Sequence, residues 1–93
     1  MEPIRFSSTI RSWNEEQHRG LAVVDIPSEL IAALGGLKQQ RVHGRIGSAD
    51  FISNVMPAGG GRLALSVSKA MQGAAGVGMG DAVDVELTQI GRD

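Results

Sequence analysis

Leu21-Ala-Val-Val-Asp-Ile-Pro-Ser-Glu-Leu-Ile-Ala-Ala-Leu-Gly35 and Arg62-Leu-Ala-Leu-Ser-Val-Ser-Lys-Ala-Met-Gln-Gly-Ala-Ala-Gly76 carry one pattern twice. Each begins as an alternating strand, passes a helix start, runs on as a short apolar helix and stops at glycine. Ile26 aligns with Val67, Pro27 with Ser68, Leu30 with Met71, Gly35 with Gly76 and Val42 with Val83, at a constant offset of 41 positions. An internal repeat constrains a fold strongly. The two halves span roughly 21–47 and 62–88 of a chain of 93 residues, a length that suits one domain, 1–93, with a single modest core.

The flanking segments extend the pattern. Ile4, Phe6 and Ile10 alternate with Arg5, Ser7, Thr9 and Arg11, a period of two that predicts a first strand with one dry and one wet face. Trp13-Asn-Glu-Glu-Gln-His-Arg-Gly20 reads as a hairpin connection to a second strand that points Ala22, Val24 and Ile26 inward, and Trp13 is expected to cover a barrel mouth. Pro27 holds Ile26 extended and so separates strand from helix. Ser28 is the expected N-cap of a helix with Leu30, Ile31 and Leu34 on its apolar stripe, ended by Gly35-Gly36. Gln40 to Ile46 predicts a third strand with Val42, Gly44 and Ile46 inward, and Asp50 to Met56 a fourth. Pro57-Ala-Gly-Gly-Gly61 reads as a flexible connection to a fifth, with Leu63, Leu65 and Val67 inward. Ser68 is placed as a second helix cap; Gly73 inside that helix costs about 1 kcal/mol relative to alanine, which predicts a short or frayed element. The last strand turns Val83, Val85 and Leu87 to one face and Asp84, Glu86 and Thr88 to the other.

About six strands with two short helices at equivalent places predict a mainly β fold with pseudo-twofold symmetry. A small closed barrel hides the sheet edges and lets the helices plug its ends; an open sheet with both helices on one face is the rival.

Composition excludes several classes. Hydrophobic residues are 42% and charged residues 20%, ordinary for a chain with a packed core. The net charge of −1 supplies no overall attraction to phosphate backbones or anionic lipid. With no cysteine, disulfides and thiolate metal sites are ruled out. Met1-Glu-Pro-Ile-Arg-Phe6 lacks a basic-then-apolar leader, and no apolar run approaches the roughly 20 residues of a membrane span. The expectation is a cytoplasmic protein with no membrane partner.

The unit of strand, Ile-Pro, short helix, Leu-Gly and a Gly-Asp entering a last strand resembles the swapped-hairpin unit of AbrB-type transition-state regulators and MazE-type antitoxins, in which two chains complete a double-split β-barrel. Here one chain carries both halves. Over nearly its whole length the chain more closely resembles a bacterial family, domain of unknown function 1905. The shared residues are Phe6, Val24-Asp-Ile-Pro27, Val42-His-Gly-Arg-Ile-Gly47 with Phe51, Pro57-Ala-Gly-Gly-Gly61, Leu65-Ser-Val-Ser-Lys69 and Gly80-Asp-Ala-Val-Asp-Val85. The resemblance implies a double-split β-barrel and assigns no activity.

Two candidate sites stand out. Gly59, Gly60, Gly61 and Arg62, with Lys69, combine backbone N–H groups, a guanidinium fork and a helix start, the parts of an anion or small-ligand site. The plainer reading is a hairpin that needs positive φ beside two surface cations. The outward stripe Arg41, His43 and Arg45, joined by Arg5 and Arg11, is the candidate nucleic-acid surface. Asp84 and Glu86 oppose it, and three aromatics offer no stacking platform. Catalysis has less support. His18 and His43 have no neighbour at ligand spacing, Asp25, Asp50 and Asp81 meet only if the fold gathers them, and Asp81 after Gly80 is more simply a turn former. No catalytic residue, metal ligand or cofactor is expected. The expected function is a non-enzymatic binding or interaction module, monomeric, with an unidentified protein or small-molecule partner. The alternative is an AbrB-like DNA-binding regulator or antitoxin-like protein, nucleic acid being the less favoured partner.

Overall fold

A computed structural model describes residues 3–13 and 22–90. His18 and the rest of the first hairpin connection, 14–21, lie outside the described residues. Among the described residues seven strands form one antiparallel sheet: β1 (Ile4–Thr9), β2 (Arg11–Ser12), β3 (Ala22–Ile26), β4 (Gln40–Ile46), β5 (Ala49–Gly59), β6 (Arg62–Val67) and β7 (Ala82–Gln89). Their spatial order is β1-β7-β4-β5-β6-β3-β2. The two outermost strands are consecutive in the chain, with only Ile10 between them. One extended segment therefore occupies both edges, and the sheet curls into a barrel-like form that leaves little free edge.

Alternation places the core as the sequence predicts. Ile10, Val24, Ile26, Val42, Ile46, Val55, Leu63, Leu65, Val67, Val83, Val85 and Leu87 are buried in one cluster inside the curl. Val23 and Ala64, on the opposite face, are also fully buried, which alternation does not anticipate.

Registers reveal how far the repeat reaches. Val24 pairs with Leu65 and Arg45 with Glu86, each residue opposite its own counterpart 41 positions along the chain. A pseudo-twofold axis passes through both pairs. The same operation relates the opening strands: Phe6 opposite Val85 corresponds to Phe51 opposite Gly44, and Arg11 opposite Val23 to Met56 opposite Ala64. There the offset is 45, because the first hairpin is four residues longer than the second. The equivalence thus takes in the first and fourth predicted strands, which the 41-residue alignment omits.

The two helical segments differ. Pro27, not Ser28, occupies the first cap position. It has no side-chain acceptor, and the segment folds as two 3₁₀ turns, Ser28–Leu30 and Ala32–Leu34, closed by Gly35 in the left-handed conformation. In the second half the Ser68 hydroxyl accepts from the Met71 N–H at 3.1 Å, and an α-helix follows, α1 (Lys69–Ala75). Buried Gln40 ties the first segment down: its side-chain amide donates to the Leu34 carbonyl and accepts from Gln89. The expected flexible Pro57–Gly61 connection is instead ordered strand. Pairing continues through Pro57 to Gly59 with a bulge between them, a place where a proline's missing N–H is tolerated, and a tight turn follows.

Gly44 sits at the centre of β4 because Phe51 lies across it. A Cβ there would stand 2.5 Å from the Phe51 ring and 2.8 Å from Leu87. The counterpart position in the other half is Val85, facing Phe6. Gly44→Ala is expected to destabilise by about 1 to 3 kcal/mol through overpacking, whereas Gly73→Ala, where a Cβ meets nothing within 4 Å, is expected to be neutral or stabilising by up to about 1 kcal/mol. Urea unfolding of both variants checks the contrast.

Candidate functional site

The glycine loop and Lys69 do not converge. Gly59, Gly60 and Gly61 all take positive φ to turn the β5–β6 hairpin, and Arg62 Nε donates back to the Gly59 carbonyl at 3.4 Å, across its own turn. Lys69 begins α1 beyond the other end of β6, about 17 to 20 Å of extended chain away. The hydroxyl at that helix start is already used by the Met71 N–H.

The basic stripe is placed as predicted but is extensively paired. Arg41, His43 and Arg45 point outward from β4 while Val42, Gly44 and Ile46 are buried. Arg45 Nε donates to Asp50 Oδ1 at 3.3 Å, and His43 Nε2 lies 3.8 Å from the same oxygen. Arg5 Nε donates to Glu86 Oε1 at 3.3 Å. Arg41 has no ion pair with a described residue. Because β1, β7, β4 and β5 are neighbours, Arg5, Glu86, Arg45 and Asp50 form a row of alternating charge across four strands. Arg11 does not join it. Past Ile10 the chain has crossed to the other edge of the sheet, where Arg11 grips Asp25 with two bonds, Nε to Oδ2 at 2.7 Å and Nη2 to Oδ1 at 2.8 Å.

The three aspartates each have separate partners and do not form a constellation. Asp25 binds Arg11, Asp50 binds Arg45, and Asp81 accepts from the Gly78 N–H at 2.8 Å, consistent with a turn former. Among the described residues no group of three or more His, Asp or Glu side chains is placed to hold a metal ion. Trp13, directly after β2, is partly exposed.

One concavity on the outer face is not singled out by the sequence. An open groove of about 420 Å³ lies along β1, β7 and β4, lined by Arg5, Phe6, Ser7, Arg45, Gly47, Asp84, Val85 and Glu86. It includes the Arg45–Glu86 pair on the pseudo-twofold axis. Asp84 Oδ1 accepts from the Ser7 hydroxyl at 2.6 Å, and on Asp84's other flank Gly47, which has no side chain, donates its N–H to the Asp84 carbonyl at 3.3 Å. A small hollow of about 40 Å³ adjoins it, sharing Arg45 and Glu86 and adding His43, Gly44, Asp50 and Thr88. The acidic wall was legible as the outer face of the last strand. That Ser7 and Arg5 stand beside it depends on β1 pairing with β7 across nearly the full chain length.

With the geometry in place, comparison with known proteins identifies the chain's family. Residues 6–87 match the family model described as Domain of unknown function (DUF1905), and the chain belongs to that family. No curated protein matches it. No helix among the described residues is long and apolar enough to cross a membrane.

One carboxylate of the outer surface is tuned by its setting. The hydrogen bond from Arg11 holds the Asp25 carboxyl below its ordinary value of 3.8, with the charges of Arg11 and Arg62 adding to the effect and partial burial opposing it. A lowered folded-state value means that the contribution to stability is present above the unfolded value and is lost as pH falls through the folded one. Asp25→Asn is expected to cost about 1 kcal/mol at pH 7, since the pair is only partly shielded from water. The gap between variant and parent should close as pH falls below 3.8. Parallel thermal melts from pH 7 to pH 2.5 measure it.

Proposed function

We propose that this DUF1905 domain is a non-enzymatic binding or interaction module that recognises its ligand through the outer groove of β1, β7 and β4. The observation that carries this reading is the groove itself. It places charged groups of both signs, a hydroxyl and a side-chain-free glycine around one open volume of about 420 Å³, within the size range of small-ligand sites. The strands behind it are held by the core and do not depend on the ligand for their position, which suits a preformed recognition surface.

A phosphate backbone fits this face poorly. Asp50 stands between His43 and Arg45, and Glu86 and Asp84 stand beside them on β7, so a phosphate approaching the basic stripe meets carboxylates at the same distance. The AbrB-like alternative relies on Arg41 and on whatever charge Arg45 retains beside Asp50.

Amide chemical-shift mapping with a panel of small neutral, anionic and cationic ligands tests the module reading. The expected result is a set of shifts confined to Phe6, Ser7, Gly47, Asp84 and Val85; shifts centred on Gly59–Arg62, or none in the groove, would overturn it. Duplex DNA is expected to bind more weakly than about 10 μM at physiological salt, without sequence preference and with a shallow salt slope. A nanomolar, sequence-dependent isotherm in fluorescence anisotropy, lost in Arg41→Ala and Arg45→Ala, would establish the regulator instead.

A further inference from the structure

The row of alternating charge decides what the groove has left to offer. Arg5 is matched by Glu86 at 3.3 Å and Arg45 by Asp50 at 3.3 Å, so the two guanidinium groups of the groove each have a carboxylate of their own. Asp84 is different. Its side chain lines the groove, its flanking neighbours across the sheet are Ser7 and Gly47, and among the described residues its carboxylate has a hydroxyl as hydrogen-bond partner and no cation. Gly47 leaves open space on that side, since a Cβ there would meet nothing within 4 Å. Taken together, Arg5, Arg45, Glu86, Asp50 and Asp84 leave one unmatched negative charge, and it lines the groove between Ser7 and Gly47.

Resting on the groove reading above, we propose that the groove binds a compact organic cation, a primary ammonium or a guanidinium on a short alkyl stem, with Asp84 as its counter-charge. The carboxylate accepts from the cation's N–H groups while Ser7 holds its other side in place, a charge-assisted contact of the stronger kind. An anionic head is disfavoured because Asp84 and Glu86 project from the same face of β7 two positions apart. The same chemistry is presented by a free alkylamine and by a lysine or arginine side chain of a polypeptide.

Titration of the labelled protein with methylguanidinium chloride and n-butylammonium chloride, against sodium acetate and sodium chloride at matched ionic strength, tests the assignment. Both cations are expected to shift the Ser7, Gly47, Asp84 and Val85 amides to saturation. Asp84→Asn, which keeps an oxygen for the Ser7 hydroxyl, is expected to weaken binding at least about threefold. Glu29→Gln, which removes an exposed charge elsewhere, should bind within about twofold of the parent. A blocked peptide carrying one arginine that binds more tightly than methylguanidinium identifies a side chain as the source, and equal affinity identifies the free cation. Acetate that shifts the same amides as strongly, or cation binding unchanged by Asp84→Asn, overturns the cation assignment and leaves the groove reading standing. A groove silent to every probe overturns both.

Discussion

The whole sheet depends on the first strand changing partners at Ile10. Up to Thr9 it pairs with β7, and from Arg11 it pairs with β3, so a single segment joins the two edges of the sheet. At the crossing point the Ile10 N–H donates to the Asp81 carbonyl at 3.0 Å, the Gly80 N–H donates to the Ile10 carbonyl at 2.8 Å, and the Ile10 side chain is buried in the core. No backbone polar group is sacrificed to make the crossing, which is the condition for burying it. Without the crossing, one of β7 and β3 would be left an exposed edge.

The pseudo-twofold symmetry of the backbone does not extend to the charges that line the groove. The axis passes through Arg45 and Glu86, residues that are counterparts in the repeat but opposite in charge. Asp84 likewise occupies the position of His43. Where a dimer of identical chains would duplicate every side chain, the two halves of this chain differ, one carrying bases and the other acids, and the charges meet on the axis. A difference also appears in the core, where Phe51 lies over Gly44 but Phe6 faces Val85. Both halves place a phenylalanine there, but its cross-strand neighbour is glycine in one and valine in the other, so the inner packing is not strictly symmetric.

Local secondary structure follows local chemistry in both halves. A serine at the cap position starts an α-helix at Lys69, and a proline at the matching position gives tight 3₁₀ turns, although both segments end on a left-handed glycine. Gln40 compensates in the first half by reaching the Leu34 carbonyl that the short turns leave free. Among the described residues no buried side-chain nitrogen or oxygen lacks a partner, so this polar bridge is part of a fully satisfied interior.

The sequence by itself determined the strands, their inward faces and the repeat, because these rest on periodicity and on glycine and proline, which act within a few residues. Val42, Gly44 and Ile46 inward and Arg41, His43 and Arg45 outward could be assigned without any partner strand. Alternation alone missed Val23 and Ala64, since a residue on the outer face is buried only if another part of the chain covers it. It also grouped Arg11 with Arg5, and Lys69 with Arg62, because proximity in sequence says nothing about a strand that switches edges or one that spans the barrel. Only the tertiary structure decided which charges neutralise one another: Arg5 meets Glu86 across 81 positions, and Arg11 meets Asp25 on the other edge. Coulombic pairing falls off within a few ångströms in water, so the charge that a groove retains is set by the cross-strand register, which the pairing of distant strands alone establishes.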